Sequence, residues 1–391
     1  MRPAQWQALR LALGTASALG LARFAYGLLL PAMRDDLHWT LAEAGTMSAA
    51  NGLGYLVGAL VTPVVRRRLG TAATFRWGMV LTAVALAVTP GSGDYLALLT
   101  ARSVAGAAGA SVFITGGVVA ARIATDISSG MPIAVYFAGT GLGIVFSGAT
   151  IPALGDRWQL AWAGLSVAAG LAALASWSAA RTDDNRDTSA ATAGRAPVRA
   201  LWRTALAYLL FAVGYITYIT FLSAYLADRN APVSQVTFTW TVLGLAVMAA
   251  PFLWSRPITH WPGSRALAAL LAILAGGAAL PLISPAPPII LASAIVYGAT
   301  FMGVPAAVTA LIKASTPPAG WTATLAAFTT LFAAGQTVGP WLAGLLADHT
   351  STNATLAWTA ILCAAAALIA TIGNRSRPST APWPETHGHQ R

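Results

Sequence analysis

Charge is what this chain has least of. Only 9% of its 391 residues are Asp, Glu, Lys or Arg, against about 25% in an ordinary soluble domain, so most of its length cannot present a water-solvated surface. All acids lie in loops or at the ends of apolar runs, none inside one. Cysteine is almost missing: Cys363 stands alone, which excludes a disulfide framework or a cysteine metal cluster within one chain. The histidines His38, His260, His349, His387 and His389 fall in loops or the tail without metal-ligand spacing. Neither a Walker loop nor a dinucleotide fingerprint occurs. These gaps argue against an enzyme, an ATP-driven pump and a zinc membrane protease, and no metal or cofactor is expected.

What is present is hydrophobic. Apolar residues make up 57% of the chain and gather into twelve runs, each about 20 residues long and able to cross a bilayer as a helix. The first six spans are expected near 8–33, 42–65, 76–90, 95–121, 131–153 and 158–180. The second six fall near 201–227, 235–255, 265–283, 287–312, 322–347 and 354–373. The reading is an all-α membrane protein with an N-terminal six-helix bundle over 1–180, a linker over 181–200, a C-terminal bundle over 201–373 and a disordered tail over 374–391. The linker carries Asp183, Asp184 and Asp187 before a Ser/Thr/Ala-rich stretch.

The net charge of +11 invites a nucleic-acid reading, but its distribution follows the membrane. With both termini in the cytoplasm, only Arg34, Arg157 and Arg229 fall on the far side and Arg23 and Arg102 within spans; all other basic residues lie on the cytoplasmic side, the positive-inside bias. Arg66, Arg67, Arg68 and Arg76 are expected in the cytoplasmic loop between spans two and three, with no nucleic acid bound. The first run is too long for a signal-peptide core and contains Arg23, so it reads as an uncleaved first span.

The halves resemble each other. Gly139, Gly143 and Gly148 in span five match Gly335, Gly339 and Gly344 in span eleven, each set spaced i, i+4 and i+9, and Leu53-Gly54 matches Leu243-Gly244. Glycines so spaced permit close helix packing, as do Gly106 and Gly109 in span four. A duplicated six-span unit explains the pattern.

Arg23 and Arg102 carry the sharpest functional signal, because an arginine near a helix centre costs on the order of 3 kcal/mol by insertion scales and no intramembrane acid is there to pair with it. They line a cavity for an anion, which would accept a forked guanidinium contact, or they lock neighbouring helices through backbone carbonyls. A Tyr/Phe stripe in span seven (Tyr208, Phe211, Tyr215, Tyr218, Tyr225) lines the same cavity or simply packs, Tyr225 being the interfacial end. Tyr26, Asn51, Tyr55, Tyr136, Trp240, Tyr297 and Gln336 are further polar or amphipathic residues inside spans and complete the candidate substrate site with Tyr215 and Tyr218. Gly139-Thr140-Gly141-Leu142-Gly143 is read as helix packing, not a phosphate loop.

Arg102 with the following Ser103-Val104-Ala105-Gly106-Ala107-Ala108-Gly109-Ala110 resembles the fourth-span motif of the major facilitator superfamily, and Gly335-Gln336-Thr337-Val338-Gly339-Pro340 resembles its span-eleven Gly-Pro signature. Arg23-Phe24-Ala25-Tyr26 with Leu30-Pro31 is similar to the first span of the bacterial YbfB/YjiJ-type subgroup. One departure stands out: aligned on Gly70, Arg67 occupies the place of the aspartate in the superfamily's loop motif, so the charge relay of that loop does not carry over. The resemblance implies two pseudo-symmetric bundles, alternating access, and secondary transport in the bacterial inner membrane by a monomer.

Coupling by a proton lacks an obvious intramembrane group; Glu43 near the end of span two is the candidate, the alternatives being the bound anion itself or a counter-solute. Three readings follow: a transporter of a small organic anion, an exporter of neutral amphipathic drugs or metabolites, and a membrane sensor on a transporter scaffold, against which no soluble signalling domain is evident in the sequence. At the offset that aligns Gly106 with Gly298, Arg23 aligns with Tyr215 and Arg102 with Ala294, so the N-terminal half is expected to hold the charged end of a substrate and the C-terminal half its less polar end.

Overall fold

The computed structural model describes residues 3–180 and 201–372; the expectations for the linker and the tail lie outside them. Among the described residues there is helix and turn but no strand, because a chain in hydrocarbon must satisfy its backbone groups within each segment. Twelve helical units follow in order: α1 Ala4–Leu37, α2 Leu41–Leu69, α3 Thr71–Gly91, α4 Tyr95–Asp126, α5 Met131–Leu154 and α6 Trp158–Ser176, then α7 Trp202–Ala227, α8 Val233–His260, α9 Arg265–Ile283, α10 Pro287–Ser315, α11 Trp321–Asp348 and α12 Asn353–Ile372. Eleven are long and apolar enough to cross a membrane. The other, α11, has 28 residues, and its threonines, Gln336 and Pro340 lower its hydropathy.

Two units depart from a plain α-helix. In α1 the stretch Ala16–Phe24 is wound as a π-helix, closed by Ala25 N–H donating to the Gly20 carbonyl at 3.0 Å. Such stretches are rare and gather at functional sites. In α10 the helix breaks at Met302 between Pro287–Phe301 and Gly303–Ser315, where Pro305 has no N–H to return to the Phe301 carbonyl.

The expected loop between spans two and three contracts to one residue. Arg66, Arg67 and Arg68 form the last turn of α2, and Arg76 lies inside the helix Thr71–Val88; only Gly70, at φ 83°, separates them. Arginine is a good helix former and is favoured by the dipole at a helix C-terminus, so charge alone did not mark a loop here.

The two bundles repeat one packing scheme. A Cβ on Gly139 or Gly143 would strike the α1 carbonyls of Ala12 and Ala16, and one on Gly335 or Gly339 would press on Ala212 and Val213 of α7. The third glycine of each set crosses to the other bundle: Gly148 lies on Trp240 of α8 and Gly344 on the Leu41 carbonyl of α2. Likewise Gly106 sits on the Asn51 carbonyl and Gly298 on the Leu243 carbonyl, pairs related by the same offset.

Because consecutive helices alternate in direction, the first and last described residues share one end of the bundle, the termini end. Close approaches between the halves cluster from the middle to the opposite end: Gly27 on the Ile219 carbonyl, Gly45 on the Pro340 carbonyl, and Ser48 Oγ 3.0 Å from Thr220 Oγ1. There too the Asp348 carboxylate, at the end of α11, accepts from the Leu41 and Ala42 N–H groups at 2.7 and 2.9 Å, capping the start of α2. On the periphery α3, α6, α9 and α12 expose Val84, Leu174, Ile283 and Leu368, an apolar surface that requires a lipid solvent.

Candidate functional site

Arg23 lies in the last turn of the π segment of α1, at mid-depth, and is buried, only 7% exposed. Its Nη2 donates to Gln336 Oε1 of α11 at 2.6 Å, and Tyr215 Oη of α7 donates to the same oxygen at 2.9 Å. The amide orientation is fixed by these two donors, since a flipped amide would turn its NH₂ toward the guanidinium. Arg23 Nε and Gln336 Nε2 then remain buried donors without an acceptor. This cluster joins the two halves and has a surplus of donors.

The guanidinium also lies 5.4 Å from the Tyr55 ring centre and 6.0 Å from that of Phe24, distances at which a ring quadrupole attracts a cation. From Arg23 two aromatic series run toward the termini end. On the N-terminal half, Tyr55 leads to Phe113 at 6.3 Å and Phe113 to Phe137 at 5.5 Å. On the C-terminal half, Tyr215 stacks on Phe332 at 5.4 Å, and Phe332 on Tyr208 at 5.1 Å with planes 16° apart. Phe24 and Phe301 meet edge to face across the halves at 5.8 Å.

Arg102 is held differently. From α4 its Nη1 donates to the Ala22 carbonyl and its Nη2 lies 3.5 Å from the Arg23 carbonyl, while its cation sits 4.9 Å from Tyr26 and 5.4 Å from Trp162. It thus grips the backbone of the π segment that carries Arg23. Asn51 Nδ2 donates to the Arg102 carbonyl at 3.1 Å, and Tyr26 Oη to the Ala44 carbonyl at 2.7 Å.

The remaining candidates are placed in the packing. Tyr136 Oη donates to the Phe113 carbonyl at 2.9 Å, and Trp240 Nε1 to Ser223 Oγ at 2.9 Å on the seam between halves. Tyr218 and Tyr297 stack at 3.9 Å; Tyr218 Oη shares a hydrogen bond with Ser293 Oγ, and Tyr297 Oη donates to the Tyr215 carbonyl. Arg23, Tyr55, Tyr215 and Gln336 therefore come together, Tyr297 and Tyr218 back Tyr215, and Tyr136 and Trp240 make their bonds elsewhere in the packing. Glu43 closes a capping box with Thr40, its Oε2 accepting from the Thr40 N–H at 2.8 Å. Among the described residues no group of His, Cys, Asp and Glu side chains is arranged to hold a metal. Sequence reasoning missed Phe113 and Phe332, which look like ordinary core residues until the fold sets them beside Tyr55 and Tyr215.

Residues 15–374 match the model of a family described as the uncharacterised MFS-type transporter YbfB, MFS_4. The chain belongs to this family. This MFS-type transporter is also similar to a chloramphenicol resistance protein of Streptomyces lividans, 26% identical over 379 residues that cover 93% of this chain and 95% of that one. Among solved structures, a bacterial homologue of the human lysosomal transporter Spinster, inward-facing and occupied, superposes with a TM-score of 0.69 at 14% identity, covering 95% and 96% of the two chains. The nucleoside transporter NupG gives 0.68 at 12%, covering 93% and 98%. The human organic anion transporter MFSD10 gives 0.67 at 14%, covering 95% and 100%. At these identities the likeness establishes the fold.

Proposed function

We propose that this transporter is a secondary carrier that moves a small organic anion across the bacterial inner membrane by alternating access, with Arg23, Gln336 and Tyr215 at the substrate site. The observation that carries the reading is the donor surplus at Arg23. A buried donor without an acceptor is costly, and an anion reaching the cluster supplies acceptors to Arg23 Nε and Gln336 Nε2 at once. The site draws on α1, α7 and α11, so a substrate there touches both halves, as alternating access requires. The positive-inside bias supports a cytoplasmic termini end, and with that orientation the far-end contacts between the halves fit an inward-facing state.

The driving force follows from the same inventory. Glu43 is engaged as a helix cap, so exchange against a counter-solute, or a proton carried on the anion itself, fits better than a dedicated intramembrane carboxylate. Flux into proteoliposomes tests the reading. Arg23→Gln is expected to lower anion flux at least tenfold; unchanged anion flux alongside good transport of a neutral compound would sink the charge argument.

The second reading is an exporter of neutral amphipathic compounds, in which Arg23 and Gln336 lock the halves and the tyrosines meet the substrate. The similarity to a chloramphenicol resistance protein of Streptomyces lividans favours it. Susceptibility of a deletion strain to a panel of neutral antibiotics and organic acids separates the two.

A further inference from the structure

We propose that the anion is an aromatic one: a carboxylate or similar acid whose aryl group slots between the two aromatic series below Arg23. The inference rests on the anionic reading of that site and goes beyond it by fixing the other end of the molecule.

The cluster at Arg23 sits at the apex of two walls, one from each half. Tyr55 and Phe113 come from α2 and α4, and Phe332 and Tyr208 from α11 and α7. Tyr55, Phe113 and Phe332 are half-buried, unlike the sealed Tyr136, Tyr218 and Tyr297, so each wall keeps ring surface that the packing does not cover. On the C-terminal wall the rings are aligned: Tyr215 and Phe332 lie 22° apart in plane and Phe332 and Tyr208 16° apart. Aligned rings give a guest ring offset-stacking partners that an aliphatic group cannot use equally well. An irregular greasy lining offers no such preference.

The wall also sets a length. Seven residues separate Tyr208 from Tyr215 along α7, roughly 10 Å at 1.5 Å per residue. A ligand with its acid on Arg23 and Gln336 has about that distance for its ring, which suits one ring on a short linker. Within this span Tyr215 presents its hydroxyl to Gln336 and its ring to Phe332, so one side chain serves both ends of the guest.

Calorimetric titration of the detergent-purified full chain with three matched probes tests this: 3-phenylpropionate, 3-cyclohexylpropionate and 3-phenylpropionamide. The phenyl acid is expected to bind about tenfold tighter than the cyclohexyl acid, although the latter is the more hydrophobic, and at least tenfold tighter than the amide. Phe332→Leu should reduce the phenyl-over-cyclohexyl preference to less than about threefold. Equal binding of the two acids overturns the aromatic assignment and leaves the anionic reading standing. Equal binding of acid and amide overturns both, as does failure of all three to bind the wild-type chain.

Discussion

A buried guanidinium needs acceptors, and Arg102 finds them in a helix backbone rather than in an acid. Its grip on the Ala22 and Arg23 carbonyls fits a positioning role for Arg23, whose own guanidinium turns toward Gln336. We predict that Arg102→Leu destabilises the protein by about 1–3 kcal/mol, the cost of orphaning buried carbonyls, and lowers its melting temperature in detergent by several degrees. Arg102→Lys should recover little, because an ammonium cannot fork between two carbonyls and stack on Tyr26 and Trp162 together. Unchanged melting with lost substrate binding would instead make Arg102 a direct contact. Both arginines could be found in the sequence, since an intramembrane charge is conspicuous in so apolar a chain. Their different duties could not, because these depend on which backbone and which amide the fold brings alongside.

At the scale of the helix, small residues decide how near two backbones come. Gly54 of α2 lies where a Cβ would collide with the Ser103 carbonyl of α4, and Gly106 of α4 presses in turn on Asn51. Since backbone cannot yield as a flexible side chain does, Gly54→Ala is expected to cost about 1–3 kcal/mol by overpacking. Gly170→Ala in α6, where a new Cβ meets nothing within 4 Å, serves as the neutral control. Thermal unfolding of both variants in the same detergent makes the comparison. The glycine spacing in α5 and α11 was legible as packing because period and residue type agree, but the sequence did not say that the third glycine of each set crosses to the other bundle. Nor did it reveal the π segment, whose run Ala-Ser-Ala-Leu-Gly-Leu-Ala-Arg-Phe has nothing to set it apart from an α-helix. The span limits held best where Pro or a cap marks them and slipped where arginines prolong α2.

Across the whole molecule, one carboxylate bridges the halves at the end away from the termini. Asp348 on α11 caps α2, adding hydrogen bonds and a favourable charge at a helix N-terminus; opening that end must break both bonds. We predict that Asp348→Ala shifts the population toward the state open at that end. The lone native cysteine, Cys363, is buried, so a cysteine introduced at Ser48, which now faces Thr220 across the seam, reports the change with little background. Its labelling by an impermeant maleimide should rise several-fold in the Asp348→Ala chain, and equal rates in both would refute the latch. The paired crossings of Gly148 onto α8 and Gly344 onto α2 have a wider meaning. Each half presents the glycine its counterpart receives and receives the glycine its counterpart presents, which is the geometry of an isologous dimer. The surface joining the bundles is therefore of the kind that two copies of a six-helix chain would form with one another.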